Sequence, residues 1–341
     1  MELGVDRARV AGEAEAVHGG HATAGHLIAG DASAEHAATG RVVAVVGPTA
    51  AGKSDLAVEL ALRLGGEVIN ADSMQLYRGM DIGTAKLTLE QRRGVPHHVM
   101  DVLDIRDTAT VAEFQGWARA AIHDCHARGV LPIVVGGSAL YIRAVLDRFE
   151  FPGTDPAVRR SLEVELQRVG PQAMHRRLAA VDPEAAARIL PSNGRRIVRA
   201  LEVVEITGRP FTASLPDHTY AFPDVRQVGL DVPRDVLDER IRARVDRMWA
   251  AGWVEEVRRL AEAGLRESPT ASRAHGYAQV LAYLDGRLTE EEAKEETVRI
   301  TRRFVRRQDS WFRRDPRIHW LPYDAPDLVD RAVRIVTDAS G

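Results

Sequence analysis

Residues Gly47, Pro48, Thr49, Ala50, Ala51, Gly52, Lys53 and Ser54 follow directly on the apolar run Val42 to Val46. Glycines at this spacing let backbone N–H groups turn inward around an anionic oxygen cluster, and Lys53 adds a point charge. Ser54 supplies a hydroxyl suited to Mg²⁺. Leu56, Leu60 and Leu64 mark an amphipathic helix from about Ser54, whose positive dipole end faces the same anion. The expected chemistry is therefore the binding of a diphosphate or triphosphate, and the motif leaves open which compound carries it.

Two further clusters carry chemistry-bearing side chains just after apolar segments. Asp72, Ser73, Met74 and Gln75 follow the short run Glu67 to Asn70, and Gly136, Gly137 and Ser138 follow Val130 to Val135. Asp72 has two readings, a carboxylate facing the phosphate ligand or a cap on the next turn, since Asp favours helix starts. Gly136-Gly137-Ser138 offers close backbone approach and a hydroxyl, or merely a tight turn. Basic residues gather at Arg195, Arg196 and Arg199, at Arg240 and Arg244 on one helix face, and over 301–317. The last holds seven arginines interleaved with Phe304, Trp311 and Phe312. Arginine among aromatics suits single-stranded RNA, where planes stack on splayed bases; a solvated basic face is the alternative. Lysine is scarce, with Lys53, Lys86 and Lys294 the only three among 46 basic residues.

The elements that must position these groups alternate. Strands at 41–46, 67–70 and 130–135 are separated by helices near 54–64 and 109–128, which predicts an α/β fold of P-loop type with a parallel sheet. Ligands in such sheets collect beyond the carboxyl ends of the strands, so Gly47, Asp72 and Gly136 are expected together. Residues 152–222 lack a strand pattern but repeat apolar residues at helical spacing, with Pro171, Pro183 and Pro191 marking helix starts. They read as a helical insertion between two parts of a core, 41–151 and 223–341. In the second part a strand is expected at 225–232 and another at 317–321, with helices at 233–250, 252–264, 270–284, 289–314 and 325–338. Residues 1–40 carry six acidic and two basic residues with no periodicity, and read as a flexible tail.

Composition bounds the rest. The 341 residues are 45% apolar and 28% charged with a formal net charge of −3, which fits a globular protein and excludes a wholesale basic nucleic-acid binder. Cys125 is the single cysteine, so no intrachain disulfide forms and a cysteine-based metal site is not expected. No apolar run approaches membrane-spanning length and no secretory signal is evident, so no membrane association is expected and the cytoplasm is the expected compartment.

Taken together, Gly47 to Ser54, Asp72 to Gln75, Asp81 to Lys86, Pro96-His97-His98, Gly136 to Ser138, Arg199 to Val203, Gly276-Tyr277, and Arg306-Arg307-Gln308 with Trp311 resemble the motifs of tRNA dimethylallyltransferases over roughly 41–321. The resemblance implies transfer of a five-carbon isoprenoid from dimethylallyl diphosphate to N6 of the adenosine just 3′ of the anticodon. It further implies diphosphate held by Gly47 to Ser54, with Mg²⁺ on Ser54. Thr49 and Arg244 would stabilise the leaving group while Asp72 takes the amine proton. Asp72, Ser73, Met74, Gln75 and Ser138 would hold the extruded base. Arg159, Arg195, Arg196, Arg199, Arg273, Gly276, Tyr277, Arg306, Arg307, Gln308 and Trp311 would grip the anticodon stem-loop. A monomer and an insertion that binds tRNA are expected. Departures from the family pattern are Ser138 in place of threonine, His275 in place of an aliphatic residue, Val305 in place of a smaller one, and no zinc finger. Rival readings are an adenylate dimethylallyltransferase acting on free AMP, ADP or ATP, a P-loop small-molecule kinase, and a non-enzymatic RNA-binding protein.

Overall fold

A computed structural model describes residues 40–149, 151–211 and 218–338; the tail expected at 1–40 lies, apart from Gly40, outside them. Six strands form one parallel sheet: β1 (Arg41–Val46), β2 (Gly66–Asn70), β3 (His97–His98), β4 (Leu131–Gly136), β5 (Asp224–Asp231) and β6 (Ile318–Pro322), in the order β3-β2-β4-β1-β5-β6. β1 and β4 are buried along their whole lengths, which explains their unbroken apolar runs, since parallel strands are covered on both faces. Val46 pairs with Gly136 on one side and Gly229 on the other, and Asn70 pairs with Val135. This register brings the carboxyl ends of β1, β2 and β4 level, so Gly47, Asp72 and Gly137 emerge along one edge.

The helices are α1 (Lys53–Leu64), the single turn α2 (Leu89–Arg92), α3 (Val111–Ala127), α4 (Ala139–Leu146), α5 (Pro156–Val181), α6 (Pro183–Arg188), α7 (Gly194–Thr207), α8 (Arg234–Ala250), α9 (Trp253–Glu262), α10 (Tyr277–Leu284), α11 (Glu290–Phe312) and α12 (Leu328–Thr337). Helices α5, α6 and α7 enclose their own apolar cluster, with Leu162, Met174, Leu178, Ile189, Ile197 and Leu201 at its centre. No helix among the described residues is long and apolar enough to cross a membrane.

Two local expectations, the helix start at 270 and the entry at Pro191, need adjustment; the entry at Pro171 holds, and one strand is new. β3 has only two residues, too few to leave a periodic trace. The helix expected over 270–284 starts only at Tyr277, because Gly276 takes φ 86° and breaks the turn. Pro171 follows Gly170, whose φ of 79° kinks α5 into two helical halves. Pro191 lies in a turn, and α7 starts later, where the Asn193 side chain accepts from the Arg196 N–H.

Candidate active site

The loop after β1 is held open from within. Gly47, Ala50 and Gly52 take φ of 138°, 68° and 100°, the left-handed region that glycine adopts at no steric cost. Lys53 Nζ donates to the Pro48 carbonyl at 2.7 Å, so the ammonium lies across the loop it serves. Gly52 caps α1 without any side chain, leaving the first-turn N–H groups for a ligand.

Asp72 lies where β2 ends. Asn70 fixes it: Asn70 Oδ1 accepts from the Asp72 N–H at 2.9 Å, and Asn70 Nδ2 donates to the Asp72 carbonyl at 3.0 Å. One carboxylate oxygen, Oδ1, accepts from the Met74 N–H at 2.9 Å, which realises the turn-capping reading. The other takes no protein hydrogen bond among the described residues, so the capping role leaves one carboxylate oxygen unengaged. Gln75 Nε2 donates to the Thr84 carbonyl at 3.1 Å.

Two buried charges fasten the segment beyond. Lys86 donates to Tyr77 O at 2.6 Å, Asp81 Oδ1 at 2.8 Å and Asp101 Oδ1 at 2.5 Å, so this surviving lysine clasps a loop and is not a phosphate ligand. Glu256, 2% exposed, accepts the N–H groups of Asp81, Ile82 and Gly83 at 3.0, 2.7 and 3.2 Å, and the Tyr277 hydroxyl at 2.6 Å. Tyr277, expected against tRNA, is therefore fully enclosed. Gly276 is needed beside it, since a Cβ there would lie 2.0 Å from the Trp253 ring. The Gly276-Tyr277 motif is thus a packing device that anchors the Asp81–Gly83 turn, a correction that contact geometry alone could supply.

One cavity joins these pieces. Thr49, Ala50, Lys53, Ser54, Asp72, Gln75, Gly136, Gly137 and Arg244 line it, together with Asn70, Val68, Ala85, Leu87, His97, Met100 and Val135. Burial, aided by Arg244, pulls the Lys53 ammonium down to about 8, against the pull of Asp72. Burial likewise weakens the charged form of Arg244, and Asp72 opposes it. Two cations and one carboxylate thus share a shielded space, an arrangement that stabilises an added anion. Arg240 extends the cationic wall, reaching the Ala50 carbonyl at 3.4 Å and lying 4.5 Å over the Tyr323 ring.

Sequence reasoning gave no role to Asn70, Thr84, His97 or Met100 in this cavity. The Pro96-His97-His98 motif could have flagged His97. Its Nδ1 lies 2.8 Å from the Val95 carbonyl; a carbonyl only accepts, so Nδ1 carries the proton. Burial, with Arg92 and His98 nearby, holds the imidazole below its ordinary value despite that bond.

The arginines separate into two groups. Arg159 and Arg199 both pair with Glu202, which has no solvent exposure, and Arg199 also donates to the carbonyls of Pro152 and Gly153. In this structure they tie α5 to α7 while staying partly exposed. Arg195, Arg196, Arg273, Arg306 and Arg307 are exposed, as is Trp311 at 46%. Arg307 lies 5.9 Å over the Phe304 ring, against which His275 packs edge-on at 4.7 Å. Desolvation by these neighbours keeps the His275 imidazole low, with Arg307 acting in the same sense and Asp72 against it. Ser138 stands at the start of α4 without a capping bond, and Val305 is a core residue. Gln308, expected on tRNA, is 6% exposed and faces inward.

Ligand atoms of Glu67, His98 and Cys125 also lie within 4.8 Å of one another. Arg128 already supplies the cation there, donating to both Glu67 oxygens at 2.8 and 2.6 Å and holding that carboxyl at about 2. Burial pushes the Cys125 thiol up to about 12.

Comparison with known proteins gives consistent results. The IPP transferase family model matches residues 75–315. A tRNA dimethylallyltransferase of Thermobifida fusca is 68% identical over 304 residues, covering 88% of this chain and 95% of its own length. Among solved structures, the full-length tRNA isopentenylpyrophosphate transferase of Bacillus halodurans superposes with a TM-score of 0.64 at 42% identity, covering 87% of this chain and 94% of that one. A eukaryotic dimethylallyltransferase, captured in crystallographic snapshots acting on tRNA, gives 0.77 at 29% identity, over 86% of this chain and 77% of that one.

Proposed function

Because this chain belongs to the IPP transferase family, the tRNA dimethylallyltransferases, we propose that its cavity transfers a dimethylallyl group to N6 of the tRNA adenosine just 3′ of the anticodon. The observation that carries this reading is the polarity of the cavity. Its lining combines a backbone cradle with Lys53 and Arg244, the Asp72 carboxylate, and the apolar side chains of Val68, Leu87, Met100 and Val135. That pairing of cationic and apolar lining suits a prenyl diphosphate, which is charge joined to hydrocarbon, better than a nucleoside triphosphate.

An exocyclic adenine amine is a weak nucleophile, so the barrier falls at the leaving group and at the departing proton. The uncapped first-turn N–H groups of α1, with the Thr49 hydroxyl, the Lys53 ammonium and Arg244, hold the diphosphate and stabilise the charge that grows as the allylic C–O bond breaks. As N6 forms the new C–N bond, the free oxygen of Asp72 accepts the amine proton. Asn70 keeps that oxygen aimed by fixing both sides of the Asp72 backbone. Ser73, Met74, Gln75 and Ser138 surround the base once it leaves the anticodon stack.

Ser54 offers a hard oxygen ligand in the cavity, and Mg²⁺ is commonly held by one or two protein oxygens plus substrate phosphates. The residues present therefore fit Mg²⁺ on Ser54, where it would neutralise diphosphate charge. Exposed Arg195, Arg196, Arg273, Arg306, Arg307 and Trp311 form the surface for the anticodon stem-loop. A single chain contains every residue named, so we take the monomer as the active unit, and a tRNA substrate is in keeping with the cytoplasm as its compartment.

The test supplies the protein with Mg²⁺, labelled dimethylallyl diphosphate and either unmodified tRNA or AMP. Label in tRNA is expected. Label in AMP alone would transfer the assignment to an adenylate prenyltransferase, and phosphoryl transfer from ATP without prenyl transfer would make it a kinase.

A further inference from the structure

The helix that carries Arg306, Arg307 and Trp311 also reaches into the phosphate cradle. Gln308 Oε1 accepts from the Thr49 N–H at 2.9 Å, and Gln308 Nε2 donates to the Gly137 carbonyl at 2.8 Å. The two partners belong to different loops, one after β1 and one after β4. Only a side chain with an acceptor and a donor side by side satisfies both, and a primary amide does so in one orientation. Gly137 leaves just enough room: a Cβ there would lie 2.5 Å from Gln308 Nε2. With Gln308 buried, both bonds are shielded from competing water, and loss of either leaves a polar group unsatisfied.

We infer that Gln308 is a positioning residue for the transfer, a strut from α11 that sets the spacing between the diphosphate cradle and the Gly136–Ser138 loop. The donor is gripped by the first loop and the acceptor base is flanked by the second, so their separation fixes how N6 meets the allylic carbon. Because the strut stands on the helix bearing Arg306 and Arg307, tRNA seated on that helix bears on the cradle through Gln308. The inference rests on the transferase reading above.

Two substitutions in the full-length chain test it. Gln308→Met keeps length and volume but removes both hydrogen bonds. Its turnover at saturating tRNA is expected to fall about 10²-fold, the scale of a small misplacement remote from the chemistry, with tRNA affinity unchanged. Gln308→Glu is a proton-dependent mimic. When protonated it presents an acceptor to Thr49 and a hydroxyl donor to Gly137; when ionised it sets a carboxylate oxygen against the Gly137 carbonyl. The ratio of its turnover to that of the unsubstituted protein should therefore climb as pH falls, a signature that loss of packing alone does not produce. Should Gln308→Met melt below the assay temperature, the pH ratio of Gln308→Glu decides alone. Normal turnover in Gln308→Met, a pH-independent ratio, or a defect confined to tRNA affinity would overturn the strut; the last would make Gln308 an RNA contact. Failure of the unsubstituted protein to prenylate tRNA would instead refute the transferase reading. The strut would then be judged by pyrophosphate binding, expected weaker in Gln308→Met, with equal binding counting against it.

Discussion

At the residue scale, Asp72 combines two duties that a substitution can separate. Its Oδ1 caps a turn through the Met74 N–H, and its other oxygen is the proposed proton acceptor. Asn at this position retains the capping oxygen and loses basicity. Asp72→Asn should therefore cut turnover about 10²–10⁴-fold, the usual contribution of acid–base catalysis, with little change in melting temperature or tRNA affinity. Near-normal turnover would remove Asp72 as the base. Lys53 gives a pH signature. Burial and Arg244 bring its ammonium to about 8 in the free protein, so it loses charge as pH rises through that value. Pyrophosphate affinity should accordingly decline above about pH 8. Lys53→Arg, which stays charged, should bind without that inflection; an identical pH profile in both proteins would exclude Lys53 as its source.

At the scale of elements, the cavity wall is held by parts remote in sequence. The Asp81–Gly83 turn hangs from Glu256 on α9, and Glu256 is held in turn by Tyr277 on α10. Glu256→Ala leaves three backbone donors and a buried hydroxyl without their acceptor. Each orphaned group costs about 1–3 kcal/mol, so equilibrium denaturation should register a loss of at least that size. Gly276→Ala should be similarly severe, because φ is 86° and the new methyl would meet Trp253. A wild-type denaturation midpoint for either variant would show that this clasp carries no stability. The edge strand β3 shows the same dependence: Val68 and Ile69 of β2 pair with His97 and His98, and that pairing holds His97 in the cavity wall.

At the scale of the whole molecule, a chain of net charge −3 must recruit a polyanion through local patches. Exposed Arg306, Arg307, Arg273, Arg195 and Arg196 supply them in the proposed complex. Binding of tRNA should weaken steeply with added salt, since each phosphate contact releases counterions. Arg306→Ala or Arg307→Ala should flatten that dependence by about one contact each, whereas an unchanged slope would discredit the patch. Arg159 and Arg199 should behave differently. They share the neutralisation of buried Glu202, so removing either leaves that carboxylate with one cation fewer. Their alanine variants should lower the melting temperature before they alter salt dependence.

Much of this was legible in the chain. Unbroken apolar runs followed by Gly47, Asp72 and Gly136 determined the strands, their parallel pairing and the edge where the cavity lies, because side-chain periodicity and turn chemistry are local. The loop at 47–54 was equally legible, since its positive φ values at Gly47 and Gly52 are conformations that glycine spacing favours. Tertiary structure alone decided which motif residues face the substrate. Gln308, Tyr277 and Lys86 sit in motifs as distinctive as that of Lys53, yet all three point inward, to Thr49 and Gly137, to Glu256, and to Asp81 and Asp101. Whether a polar side chain meets solvent, ligand or a buried partner depends on contacts between segments as far apart as residues 49 and 308, and spacing along the chain carries no record of those contacts.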